Sequence, residues 1–312
     1  MEKKQQRIFW AIFMATFFAM FGETIPMSFQ PQFISGLGVS AAVLTLIYNI
    51  RNVIQTVLRL AAGTISDSLG KKNMMLFGLA LFSLVPFMYS VATDPWMPVA
   101  AMMASGLALS IYFPPSEALA SEVFPPEKAG EAMGKFHLSW AVSSVIGPIV
   151  GGFIASQFSG YRPLFVISGV ITCIGFFVAW RYTDDDRQDS CPMKPTEQVR
   201  QIVKDFPSTM RRLLSNRKVL VSSFAVFAHA FCHFGLFTFI PMLGAGRGYD
   251  EFIIGITLTA NSLMIAVSLP IVGKLSDKVG RFLPIVVGLG VSVIAFALVP
   301  IAPSLWMLPV LN

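Results

Sequence analysis

Two ionisable side chains occur deep within the apolar stretches of this sequence, Glu23 in the first and Arg51 in the second. At about 1.5 Å per helical residue, Glu23 lies about 22 Å from the start of the first apolar stretch. Arg51 lies about 18 Å from Gly63, which follows the end of the second stretch. A carboxylate at such depth normally faces a cavity or a partner, because burying it alone is costly. The similar depths predict that the two side chains pair, either as a static ion pair or as a site that carries protons and binds a solute.

A short charged segment occurs twice in the chain, at positions 210 residues apart. Residues 63–72 and 273–282 both contain the pattern G-x-x-S-D-x-x-G-[KR]. The same offset pairs Trp96 with Trp306, so the correspondence extends well beyond the segment itself. Glycines at both ends predict tight turns between neighbouring helices. The repeated segment and the matching residues around it predict that the two halves of the chain arose by duplication.

The 210-residue offset also relates the polar residues of the two halves. It aligns Glu23 with His233 and Arg51 with Asn261, and His229 lies one helical turn from His233. A carboxylate and an imidazole that face one cavity can share a proton or hold a polar group of a substrate. Ordinary polar lining of the cavity is the alternative. The two histidines are spaced for zinc, but no third ligand accompanies them, so no metal site is predicted.

The composition is that of a protein with many membrane-spanning helices. Of 312 residues, 54% are hydrophobic and 13% are charged, whereas soluble domains have roughly 25% charged residues. A spanning helix needs about 20 mainly apolar residues. Nine segments meet this requirement, and a tenth begins near Pro303. The nine segments lie near residues 8–30, 41–62, 73–92, 96–118, 135–157, 162–181, 217–240, 252–271 and 282–301.

The basic residues predict the orientation of these spans. Of the 23 Lys and Arg, only Arg162 and Arg247 fall on one side of the membrane, and Arg51 and Arg59 fall within a span. All the others lie on the opposite side, which the positive-inside rule identifies as the cytoplasm. We therefore expect a multi-pass protein of the cell membrane with a cytoplasmic N-terminus and central loop. Nucleic-acid binding is not expected from this charge distribution.

The chain divides at a single long polar stretch. We predict an N-terminal six-helix bundle over residues 1–181, a cytoplasmic linker over 182–216 and a partial C-terminal bundle over 217–312. From Val199 to Leu214 the apolar residues of the linker recur at helical spacing, which predicts an amphipathic helix on the membrane surface. The C-terminal bundle contains helices 7 to 9 and the start of a tenth.

The doubled motif resembles the loop signature of the major facilitator superfamily of secondary transporters. The resemblance covers the whole chain. It implies an all-α fold of two pseudo-symmetric six-helix bundles, the second of them truncated here, with about nine to ten helices present. It also implies that both motifs act as cytoplasmic gates during alternating access; a simple topology-fixing turn is the alternative. The motif residues are Gly63, Asp67, Gly70, Lys71, Gly273, Asp277, Gly280 and Arg281.

The fifth span carries a second motif. Gly134 and the segment Gly147-Pro148-x-x-Gly151-Gly152 resemble the antiporter signature of drug/proton exchangers, with Ser143 in place of one glycine. An arginine that the family often has in its fourth helix is not evident, because residues 101–112 carry no charge. Close helix packing by small residues explains the motif as well as antiport does.

These features predict a secondary transporter that exports a lipophilic or cationic compound in exchange for protons. A sugar or metabolite symporter or uniporter of the same fold is the alternative within transport, and Asn49, Asn52, Gln55, Thr259, Asn261 and Ser262 keep it open. A non-transporting membrane sensor is the alternative from another class. No enzyme motif is evident and no cofactor is expected. The expected partners are a small-molecule substrate, protons and the lipid bilayer, with the protein as a monomer.

Overall fold

A computed structural model describes most of the first half of the chain and part of the second. Its continuous described segments are residues 3–124, 129–158, 160–183, 240–279 and 282–298, with isolated residues between 200 and 224. The predicted linker helix and the span at 217–240 lie mostly outside these residues. The tenth span lies wholly outside them.

The described segments are helical, with no strand among them. Residues 240–246 are also helical. The helices with named bounds are, in chain order, α1 (Lys3–Met27), α2 (Gln30–Gly36), α3 (Ala41–Leu69), α4 (Lys71–Ser90), α5 (Trp96–Glu122), α6 (Ala129–Gln157), α7 (Arg162–Tyr182), α8 (Glu251–Val279) and α9 (Phe282–Leu298).

Five of the described helices are long and apolar enough to cross a membrane. They are Lys4–Met27, Lys71–Ser90, Trp96–Glu122, Ala132–Gln157 and Arg162–Tyr182. The prediction of an all-α polytopic membrane protein is therefore confirmed.

Polar side chains and glycines define the ends of several helices. The Ser40 hydroxyl accepts from the backbone N–H of Val43 at the start of α3. Asp94 accepts from the N–H groups of Trp96 and Met97 at 2.8 and 3.1 Å, at the start of α5. These contacts satisfy N–H groups that have no partner within the helix.

The sequence predicted that the repeated motif forms a turn, but most of the motif is helical. Residues 63–69 continue α3 as a helix, and the chain reverses at Gly70 alone, whose φ of +92° favours glycine. Asp67 therefore belongs to the last turn of α3 and not to the start of α4. Residues 273–279 are likewise helical within α8. Glycine is tolerated inside a helix, so one residue of positive φ is enough to reverse the chain.

Helix α1 packs chiefly against two neighbours. It contacts α6 and α7 along its length, whereas α5 contacts α3 and α4. Helix α4 also contacts α7, and α8 packs against α6. The interior is apolar around Phe9, Ile12, Met75, Tyr112 and Phe136. The first span ends at Met27, earlier than predicted, and the short helix α2 follows it.

Candidate functional site

An ion pair lies between α1 and α3. Nη2 of Arg51 donates to Oε1 of Glu23 at 3.3 Å. The Glu23 side chain is 28% exposed and that of Arg51 is 15% exposed, so the carboxylate is the more accessible partner. The similar depths of Glu23 and Arg51 in the sequence predicted that they pair, and their side chains are in direct contact.

The packing of α1 determines the direction in which the Glu23 side chain points. Gly22 lies against Ser168 and Thr172 of α7, and the Ser168 hydroxyl donates to the Gly22 carbonyl. On the other side of Glu23, the Thr24 hydroxyl donates to the Ser143 carbonyl of α6 at 3.0 Å. Because successive helical residues point about 100° apart, the position between these two contacts faces a third direction. That direction is towards α3.

Arg51 is held on its other side by α5. Its Nε donates to the Ser105 hydroxyl at 2.9 Å, and that hydroxyl donates to the Met102 carbonyl at 2.8 Å. Gly106 provides space for the arginine stem, since a Cβ there would lie 2.9 Å from Arg51 Cγ. The uncharged segment 101–112 of α5 therefore has a guanidinium beside it, supplied by α3.

A second polar contact lies one turn from Arg51. The Tyr48 hydroxyl donates to Oε1 of Gln30 at 3.2 Å, which joins α3 to the short helix α2. Further along α3, the Gln55 carbonyl accepts from the Ser110 hydroxyl of α5 at 3.1 Å. Asn49 donates back to the Thr45 carbonyl at 2.9 Å. Helix α3 is thus joined by hydrogen bonds to α2 at Tyr48 and to α5 at Arg51 and Gln55, whereas Asn49 bonds within its own helix.

The glycine motif of α6 forms two close helix contacts. Gly147 lies against Thr24 and Gly151 against the Ile25 carbonyl, both on α1. Gly152 faces α8, where a Cβ would lie 2.7 Å from the Glu251 carbonyl oxygen.

Two other members of the motif differ in their surroundings. The Pro148 carbonyl oxygen lies where a Cβ on Gly255 of α8 would meet it, at 2.5 Å. Gly134 has no heavy atom within 4 Å of its Cβ position. The motif therefore brings α1 and α8 close to α6, with Gly134 outside that contact.

The first copy of the repeated motif has an ion pair beside its turn. Nζ of Lys71, at the start of α4, contacts Oε1 of Glu122 at the end of α5. Gly63 has only an ordinary contact, since its Cβ position is 3.8 Å from Cβ of Pro114. The side chain of Asp67 is outside the described part of the structure. In the second motif, Gly273 and Asp277 lie on α8, whereas Gly280 and Arg281 are not described.

Of the residues that the repeat aligns with Glu23 and Arg51, only Asn261 lies in the described part of the structure. His229 and His233 lie outside the described residues, so their relation to Glu23 stays a prediction. Asn261 on α8 is 1% exposed, and neither its amide nitrogen nor its oxygen has a hydrogen-bond partner among the described residues. A buried amide normally has partners, so Asn261 remains a candidate for binding a polar group.

Sequence reasoning did not find Ser105, Gly106, Tyr48 or Gln30. Serine and glycine recur throughout the apolar helices, so their types alone carry no signal. The absence of charge in residues 101–112, opposite an arginine on a neighbouring span, is the one available clue. It identifies α5 as a surface that can accept the guanidinium.

Comparisons with known proteins show the family of the chain. A family model described as "Major Facilitator Superfamily" matches residues 12–311. The chain is 25% identical over 288 residues to "Multidrug resistance protein MdtG" of Yersinia enterocolitica, covering 88% of this chain and 66% of that protein. The Citrobacter koseri protein of the same name is 24% identical over 299 residues, covering 93% and 71% of the two chains.

A solved structure shows the same fold. It is a bacterial homologue of the human lysosomal transporter Spinster, in an inward-facing and unoccupied conformation. The TM-score is 0.72 at 16% identity, covering 90% of this chain and 64% of that one. At this identity the likeness extends to the fold alone. The chain spans about two-thirds of the length of these proteins.

Proposed function

The chain belongs to the major facilitator superfamily, and on that premise we propose that it exports a lipophilic or cationic compound in exchange for protons by alternating access. The observation that carries the proposal is the Glu23–Arg51 contact between α1 and α3. The curated relatives named for multidrug resistance support the substrate class.

The ion pair provides a physical basis for exchange. With Glu23 ionised, its charge and that of Arg51 cancel, and the partly exposed carboxylate can attract a cationic substrate. With Glu23 protonated, the site has a net positive charge from Arg51 and repels the same substrate. Two unit charges 4 Å apart interact by about 4 kcal/mol at an effective dielectric constant of 20. Proton and cation would therefore bind alternately.

Arg51 stays in place while Glu23 changes its charge. Its Nε contact with Ser105 and its packing on Gly106 do not involve the carboxylate. Loss of the Glu23 contact would thus release α1 from α3 without freeing the arginine from α5. In this proposal, Glu23 is the proton-coupling group and Arg51 positions it, with His233, His229 and Asn261 facing the same cavity from the second half.

The repeated motifs are proposed to act at the cytoplasmic gate. Gly70 provides the sharp reversal between α3 and α4, and the Lys71–Glu122 contact joins this corner to the end of α5. The end of α3, the start of α4 and the end of α5 can therefore move together. We assign Gly273, Asp277, Gly280 and Arg281 the equivalent role by the sequence repeat.

A second candidate is a symporter or uniporter for a polar metabolite. The Tyr48–Gln30 hydrogen bond near Arg51 favours it, because such groups can bind hydroxyls or amides of a substrate. In that case the proton and the substrate would move in the same direction.

Transport by the full-length protein in proteoliposomes tests the proposal. With the membrane potential clamped at zero, a pH gradient, acidic inside, should drive the accumulation of a lipophilic cation such as tetraphenylphosphonium, and collapse of the pH gradient should abolish it. Liposomes without protein are the control. Gradient-driven movement of a sugar or metabolite together with protons would favour the second candidate. Absence of counterflow for every compound class would indicate a non-transporting sensor.

A further inference from the structure

We propose that a stripe of polar side chains on α3 forms one wall of an aqueous substrate passage and binds hydrogen-bonding groups of the transported solute. The stripe consists of Asn49, Asn52, Thr56 and Arg59, all of them exposed. They follow one another at intervals of three or four residues, so they lie on one side of the helix over about 15 Å. Recognition of the solute rests on the proposed transport function, whereas contact of the stripe with water does not depend on it.

Helix α3 has three distinct faces. One face packs within the protein; it contains the buried Leu44 and Ile47 together with Arg51, which contacts Ser105 of α5. From the helical repeat, this face, the polar stripe and a row of exposed apolar side chains are centred about 120° apart around the helix. The apolar row consists of Val43, Leu46, Ile50, Val53 and Val57.

The two exposed faces differ in the surroundings that they can tolerate. Helix α3 is 29 residues long and packs along α5, which is long and apolar enough to cross a membrane. Polar and ionisable side chains are costly against hydrocarbon and normally face water or the interior of a helix bundle. The apolar row can therefore contact lipid, whereas the polar stripe faces away from lipid and into the passage.

Two members of the stripe make hydrogen bonds within their own helix. Asn49 donates to the Thr45 carbonyl at 2.9 Å, and the Thr56 hydroxyl donates to the Asn52 carbonyl at 2.8 Å. Because both acceptors belong to α3 itself, neither side chain needs a neighbouring helix as its partner. This arrangement suits a surface that water and a moving solute contact in turn, rather than a fixed interface between helices.

The charged end of the stripe lies against α5. Cζ of Arg59 is 4.8 Å from the ring centroid of Phe113, and the face of that ring attracts the cation. The other three members of the stripe are uncharged. An asparagine amide offers both hydrogen-bond donors and an acceptor, and a threonine hydroxyl oxygen accepts, so these three side chains can bind polar groups of a solute.

The stripe adjoins the ion pair, because Asn52 directly follows Arg51 in α3. The partly exposed Glu23 carboxylate can attract the positive part of a solute, while Asn49 and Asn52 bind amino, hydroxyl or carbonyl groups elsewhere on it. The solute class is therefore a cation that carries hydrogen-bonding groups. Ethidium belongs to this class, because its aromatic amino groups donate hydrogen bonds, whereas tetraphenylphosphonium has no such group.

The reactivity of introduced cysteines tests the contact with water, in the full-length protein with its native cysteines replaced by serine. A membrane-impermeant methanethiosulfonate should react about tenfold faster in the polar stripe than in the apolar row, because the thiolate is the reactive form and apolar surroundings disfavour it. The stripe variants are Asn49→Cys, Asn52→Cys and Thr56→Cys. The matched controls are Leu46→Cys, Val53→Cys and Val57→Cys, at exposed positions of the same helix. Ethidium should slow the reaction in the stripe.

Binding measurements test the recognition of the solute. Asn52→Leu should weaken the binding of ethidium about fivefold, which corresponds to the loss of one hydrogen bond, and should leave the binding of tetraphenylphosphonium unchanged. Asn52→Gln keeps an amide and should keep the preference for ethidium, which covers failure of the leucine variant to fold. Val53→Leu, in the apolar row, should alter neither affinity.

Several results would overturn the proposal. Equal cysteine reactivity in the stripe and the apolar row would contradict an aqueous wall, and slow reaction in both would indicate that another helix covers the stripe. Unchanged reaction rates in saturating ethidium, or equal weakening of both cations by Asn52→Leu, would contradict recognition by hydrogen bonds. Fast reaction in the stripe of a protein that transports neither cation would support the aqueous wall and refute the proposed export instead.

Discussion

Gly106 of α5 lies directly against the side chain of Arg51 of α3. A Cβ at position 106 would be 2.9 Å from Arg51 Cγ and 3.4 Å from the Arg51 carbonyl oxygen. This close approach allows the guanidinium to reach both Ser105 and Glu23. The geometry of the ion pair therefore depends on a residue that has no side chain of its own.

Gly106→Ala should lower transport more than it lowers stability. The added methyl group displaces the arginine stem, whereas alanine is about 1 kcal/mol better than glycine inside a helix. We expect a several-fold loss of pH-driven transport with a small change in the unfolding midpoint. Gly290→Ala, where no heavy atom lies within 4 Å of the Cβ position, is the control. Unchanged transport in Gly106→Ala would show that Arg51 placement is unimportant.

Ser105→Ala should destabilise the protein through Arg51. The substitution removes the acceptor for Nε, and an unpaired buried donor costs about 1–3 kcal/mol. Thermal unfolding measures the loss. Ser156→Ala is the comparison, because the Ser156 hydroxyl donates to the Phe153 carbonyl of its own helix at an exposed position. Equal midpoints for the two variants would argue against a structural role of the Arg51–Ser105 hydrogen bond.

Gly152→Ala should loosen the contact between α6 and α8. Its Cβ would meet backbone atoms, 2.7 Å from the Glu251 carbonyl oxygen and 3.0 Å from Gly255 Cα, and neither can move as a side chain does. Overpacking of this kind costs about 1–3 kcal/mol, and the unfolding midpoint should fall accordingly. Gly134→Ala, in open space, should leave both midpoint and transport unchanged. Loss of transport in Gly134→Ala at constant midpoint would instead support a direct antiport role for the motif.

The sequence predicted the class of fold and the ion pair but not its surroundings. Apolar length is a property of whole segments, so the helices of the described part of the chain could be predicted directly. The Glu23–Arg51 contact followed from depth alone. The contacts of Ser105 and Gly106 depend on which faces of α3 and α5 meet, and no periodicity in α5 indicates this.

The repeated motif shows another limit of the sequence. Glycine, charge and flanking apolar runs indicated a turn over the whole of residues 63–70. The structure needs only Gly70 for the reversal, because the preceding residues satisfy their backbone hydrogen bonds within α3. A glycine in a sequence does not reveal whether its φ is positive.

If the proposed cytoplasmic gate exists, the Lys71–Glu122 contact should affect the transport rate and contribute little to the free energy of unfolding. Exposed ion pairs contribute about 0.2–1 kcal/mol, and the Glu122 side chain is 53% exposed. Lys71→Gln and Glu122→Gln should each lower the transport rate, and the double variant should be no slower than the slower single one. Transport rates in proteoliposomes measure this coupling. Independent, multiplying effects would exclude a shared role in gating.

The central claim is that Glu23 couples transport to protons, and Glu23→Gln tests it most directly. The amide keeps the size of the side chain but cannot gain or lose a proton at neutral pH. In proteoliposomes, Glu23→Gln should abolish transport driven by a pH gradient while sparing substrate counterflow. Glu251→Gln, at the start of α8, should retain both activities. Persistent pH-driven transport by Glu23→Gln would contradict the account.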